Sequence, residues 1–89
     1  SLDLQILLWN MVKERDNQAH TDYLHIFRLQ DEDNNILSII HEQEQPAYKL
    51  EYHYTNYEQN QNALPMKVYV IREDDVDAFY YVMLLPEEY

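Results

Sequence analysis

The sequence predicts an α+β domain: one N-terminal helix packed on an antiparallel meander sheet of about five strands. Three features point there. Apolar residues recur at a period near 3.6 over the first 16 residues, the period changes to two from Asp22 onward, and polar or Pro-containing breaks separate the later apolar runs. At 89 residues the chain makes one domain, 1–89, with a single modest core and no repeat or linker.

Ser1 can cap the helix, and Asp3 in its first turn favours the helix dipole. Leu4, Leu7, Leu8, Met11 and Val12 follow at i, i+3, i+4, i+7 and i+8, with Trp9 widening the stripe. Lys13 and Arg15 suit the C-terminal end, and Asp16-Asn17 can end the helix without Gly.

In the first strand Tyr23, His25, Phe27 and Leu29 alternate with Leu24, Ile26, Arg28 and Gln30, and both sides are partly apolar, as in a central strand. Residues 31–35 form a turn signal in which Asn34 or Asn35 can take the positive φ that Gly usually supplies. Residues 36–43 return as a hairpin, and Pro46 breaks the ladder. Tyr48, Leu50, Tyr52 and Tyr54 then alternate with Lys49, Glu51, His53 and Thr55 in a half-exposed strand. After the polar loop 56–62, residues 66–72 form a fourth strand and 73–75 a turn. Residues 78–85 read as the final strand, with a short helix capped by Asp75 as the alternative, and Pro86 ends it.

Composition excludes several functions. With no Gly, where average usage of about 7% would supply roughly six, phosphate cradles, dinucleotide fingerprints and nucleophile elbows are ruled out. The absence of Cys removes disulfides, thiol nucleophiles and Cys-type zinc sites, and it fits a cytoplasmic protein. Six Lys and Arg against 17 Asp and Glu give a formal charge of -11. Such a surface repels phosphate backbones and anionic lipid, so no direct nucleic-acid or membrane partner is expected, whereas a basic protein would be attracted.

Four blocks together resemble a known family. They are Leu4-Gln5-x-x-Leu8-Trp9, Asp22-Tyr23-Leu24-x-Ile26-Phe27-x-Leu29, Ile39-Ile40-His41-x-Gln43-Glu44-x-Pro46-x-Tyr48, and Met83-Leu84-Leu85-Pro86-Glu87-Glu88-Tyr89. The chain resembles, nearly end to end, a small bacterial family found mainly in Firmicutes, domain of unknown function 960. The resemblance implies the α+β class and a bacterial cytoplasmic setting, and it supplies no activity. Members of that family usually carry an extra N-terminal segment, a strand by its character, which would raise the strand count by one. Residues 77–82 also depart in length and composition from the family's pattern.

Candidate chemistry is thin. His25, His41 and His53 fall on three neighbouring strands and could hold zinc as a hydrolase would, but His53 shares a face with Lys49 and Glu51, and His41 one with Leu37 and Ile39. His20 is a fourth imidazole without a partner pattern. His41, Gln43 and Glu44 form the best polar cluster, read as a structural one that holds the bend before Pro46, since His41 and Glu44 point to opposite faces of an unbroken strand. Asp31, Asp33, Asn35 and Glu42 match calcium-loop positions, yet Ile36 stands where Gly is required. Ser1, Thr21, Ser38 and Thr55 sit in no nucleophile setting.

Tyr48, Tyr52 and Tyr54 make a same-face stripe suited to an interface. We therefore expect a non-enzymatic protein-interaction module without metal or cofactor, using that stripe or a sheet edge. Its partner is expected to be a protein, basic in character, or a second copy in a homodimer. The alternatives are a nucleic-acid mimic, whose carboxylates occupy a basic groove, and the metal-dependent hydrolase on the His set.

Overall fold

The computed structural model describes residues 2–18, 22–32, 35–55 and 65–89. The expected Ser1 cap, His20, Thr21, the Asp33 and Asn34 turn positions and the loop 56–62 lie outside them. Helix α1 covers Leu2–Asp16, and the strands are β1 Leu24–Glu32, β2 Ile36–Gln43, β3 Tyr48–Tyr54, β4 Lys67–Asp74 and β5 Phe79–Leu84, followed by a 3₁₀ turn Pro86–Glu88. The class is α+β, and residues 79–84 are strand rather than helix.

The strand order is β3-β2-β1-β4-β5, antiparallel at every pairing. This corrects the expected meander. After three hairpin-linked strands the fourth returns beside the first, the Greek-key order, and β5 then adds as a hairpin. The return of β4 to β1 sets Val68 and Val70 beside Phe27 and His25, where both are buried. A meander would have left those valines against β3, most of which faces solvent.

Two boundaries also move. Asp31 and Glu32 pair with Leu37 and Ile36 instead of forming the turn, and β4 continues through Glu73 and Asp74 opposite Tyr80 and Phe79. Ladder hydrogen bonds join backbones, so polar side chains that reach water at a sheet end do not stop them. Asn35 takes φ 59°, the left-handed position that a Gly-free chain must give to Asn.

The core lies between α1 and one sheet face. Leu4, Leu8, Met11 and Val12 meet Phe27, Leu29, Leu37, Ile39, Val68 and Val70, with Leu7, Trp9, Tyr54, Tyr81 and Met83 packed around them. Phe27, Leu37, Ile39 and Val70 are fully buried, and each such side chain stabilises the fold by about 1.5–3 kcal/mol. On the opposite face Ile26, Ile40, Tyr69 and Ile71 are half-buried. There the C-terminal residue folds back: the Tyr89 ring meets Tyr69 edge-on at 5.5 Å, and its hydroxyl lies 3.4 Å from that of Tyr23.

Candidate functional site

Arg15 continues the helical stripe one turn past Met11 and Val12, so its side chain enters the protein instead of reaching water, and it is buried. Across from it, the period-two pattern of β1 and β2 places His25, His41 and Gln43 on the same helix-facing side, all buried. The four side chains converge where the end of α1, the start of β1, the end of β2 and the start of β3 meet.

Donor and acceptor roles follow in sequence. Arg15 Nε donates to Gln43 Oε1 at 2.9 Å, which orients the amide. Gln43 Nε2 then donates to the carbonyl oxygens of Asp22 at 3.0 Å and Leu24 at 3.3 Å, using both its hydrogens. His25 Nε2 faces Asp16 Oδ1 at 3.4 Å and donates there. That leaves His25 Nδ1 to accept from His41 Nε2 at 2.8 Å. His41 Nδ1, buried without a hydrogen-bond partner, carries the lone pair, which is the cheaper group to leave unsatisfied than an N–H. The Arg15 guanidinium completes the cluster by stacking 4.0 Å above the Tyr48 ring.

Both imidazoles are shifted toward the neutral form. Burial pushes His41 down to about 3, helped by the Arg15 charge and by the repulsion that a protonated His25 would add. Burial also lowers His25, against the opposing pull of the Asp16 carboxylate. Phe27 stacks on His41 at 4.3 Å and Tyr48 meets it edge-on at 5.3 Å, so the pair is enclosed by rings. No hydroxyl or thiol nucleophile is hydrogen-bonded to either imidazole among the described contacts. The arrangement locks four elements together.

His41 and Gln43 thus lie in one buried cluster. Glu44 does not join them: β2 ends at Gln43, the chain turns, and Glu44 is exposed, its charge acting on the Tyr23 hydroxyl instead. Arg15 was legible only as a helix-end cation, although its place eleven residues after Leu4 puts it on the buried stripe. His53 lies on the opposite face, 3.0 Å from Glu51 Oε1, so the three strand imidazoles are not brought together. No group of three metal-ligating side chains is found among the described residues.

Tyr48, Tyr52 and Tyr54 do share a face, opposite Gln43, Ile39 and Leu37. However, Tyr48 lies under Arg15 and Tyr54 packs on the core, leaving Tyr52 and Leu50 as the exposed part. The other edge differs. Phe79, Tyr80 and Val82 of β5 are 62%, 57% and 39% exposed, and β5 contains no charged residue, whereas β3 carries Lys49, Glu51 and His53. Beside β5 a cleft of about 560 Å³ opens between Leu4, Leu8 and Trp9 of α1 and Tyr81, Met83 and Leu84 of β5.

A family model described as "Staphylococcal protein of unknown function (DUF960)" matches residues 1–88. The chain belongs to the DUF960 family. No curated protein and no solved structure matches it. In this member of DUF960, the first and last blocks of the resemblance line the cleft, and the middle one supplies His41, Gln43 and Tyr48 of the buried cluster. No helix among the described residues is long and apolar enough to cross a membrane.

Proposed function

We propose that this chain is a non-enzymatic protein-interaction module whose contact runs along the outer edge of β5. One observation carries the reading: β5 is a sheet edge of six residues with no charge on it, beside an open cleft lined by both apolar and polar groups. Exposed edges offer backbone donors and acceptors to any extended chain, and proteins ordinarily blunt them with charged side chains. β3 is blunted in that way and β5 is not. The described carboxylates are divided among α1, the two ends of the sheet, β3 and the C-terminal turn, which favours this reading over a row of phosphate mimics. A cytoplasmic setting belongs to the proposal and is supported by the Cys-free composition.

The test is capture from a bacterial lysate with the native chain, the variant Val82→Lys and an unrelated protein of matched charge. A partner held by the native chain, and lost with both the variant and the control, supports the edge. A partner set unchanged by Val82→Lys overturns it.

A further inference from the structure

We infer, resting on the edge reading above, that the segment received by β5 is an extended strand of another protein with an apolar centre and a basic residue at each end. The charges around β5 carry this. The uncharged strand Phe79–Leu84 is bracketed by Glu73, Asp74, Asp75 and Asp77 on one side and by Glu87 and Glu88 on the other. The cations nearby are few. Arg72 lies 3.3 Å from Asp74, and Lys67, near the Tyr69 ring, is the one cation at the start of β4, the end that adjoins the Pro86–Glu88 turn. Glu88 accepts the Leu85 N–H at 2.9 Å and Asp75 that of Val76 at 2.7 Å, which position both carboxylates without neutralising them.

Spacing follows from geometry. Six residues of strand span about 20 Å, more than twice the screening length of about 8 Å at physiological ionic strength. Each acidic end therefore attracts its own cation, and the two basic positions of the incoming strand stand about six residues apart. Between them, alternate side chains fall on the helix side of the sheet next to Tyr81 and Met83, over the cleft floored by Leu4 and Leu8, so apolar residues belong there. A second copy fits poorly. Antiparallel pairing of β5 with itself would set residues 73–77 of one copy against 87–88 of the other, and parallel pairing would set like end against like end. Carboxylate would face carboxylate either way.

The experiment follows backbone amide shifts of the isotope-labelled chain during titration with three synthetic peptides. The first is Lys-Lys-Val-Thr-Val-Thr-Val-Thr-Lys-Lys, the second carries Glu in place of every Lys, and the third carries Pro in place of the central Val. The first should shift residues 79–84 and bind about tenfold tighter than the second, with the advantage shrinking as salt rises. The third should leave 79–84 unmoved, because Pro removes a ladder donor. The combined variant Glu73→Lys, Asp77→Lys, Glu87→Lys, which balances three Lys against Asp74, Asp75 and Glu88, should abolish the preference while its spectrum away from these positions stays native. Equal affinity for the Lys- and Glu-ended peptides at 79–84 overturns the basic partner and leaves the edge reading standing. No shift at 79–84 with any peptide overturns both. Shifts there that depend on protein concentration alone assign the edge to a second copy and overturn the inference.

Discussion

His25 Nδ1 and His41 Nε2 lie 2.8 Å apart in a site where neither residue has any exposed area. Two imidazoles so placed share one hydrogen until both are protonated, and burial with the Arg15 charge lowers the pKa of both. In the unfolded chain each would protonate near pH 6.5, so the unfolded state takes up protons that the folded state refuses. The contribution of the pair is complete above that pH and is lost progressively as pH falls toward about 3, where His41 itself titrates. For His41 the loss between pH 7 and pH 5 should be about 2 kcal/mol. Urea unfolding of the native chain and of His41→Leu at both pH values reads it, because the carboxylates are common to both. Parallel pH dependences would refute the assignment.

Gln43 is the joint on which the cluster turns. Replacing it by Leu strips the buried Arg15 Nε of its acceptor and removes the amide donor to two backbone carbonyls. The expected cost is about 3 kcal/mol. Glu44→Ala, one residue on and exposed, should change stability by less than about 0.5 kcal/mol. Comparable losses from both would show that the cluster does not hold the structure.

The tyrosine stripe should divide in the same way. Tyr48→Ala removes the ring beneath Arg15 and the edge contact to His41, so a loss of about 2–3 kcal/mol is expected. Tyr52→Ala, on the exposed part of β3, should cost about 1 kcal/mol or less. Thermal unfolding of the two variants distinguishes them, and equal losses would contradict the packing described.

At the β1–β2 turn, Asn35→Gly should be neutral or slightly stabilising, since Gly takes φ near 59° without steric cost. Asn35→Val should destabilise by about 1–2 kcal/mol, because a β-branched residue is strained there. Denaturant midpoints decide the matter, and a Val variant as stable as the native chain would exclude the left-handed conformation.

Much of this was legible in the sequence. The stripe from Leu4 to Val12 gave the helix and its buried side, and the alternation through β1, β2 and β3 assigned each residue to a face, His25, His41 and Gln43 included. The bounds of β2 and β3 also emerged, since Asn35 and Pro46 punctuate them. Boundaries failed where charged residues extend strands beyond the apolar pattern, as Asp31-Glu32 and Glu73-Asp74 do. Of the three polar residues grouped from the sequence, His41 and Gln43 lie in the buried cluster and Glu44 lies outside it, and Arg15 was missed because a cation near a helix C-terminus already has a sufficient local reason to be there.

The sequence by itself determined the elements, the face on which each side chain lies and the need for Asn where Gly is absent. These depend on neighbours a few residues apart, and periodicity records them directly. Only the tertiary structure decided that β4 returns beside β1, that Arg15 meets Gln43 and His25 meets His41, and that β5 is left as an uncharged edge. Those relationships join residues 16 to 28 positions apart or whole strands. Alternation along one strand is blind to which strand stands next to it, so only the competition to bury Val68, Val70 and their neighbours under a single helix selects the order.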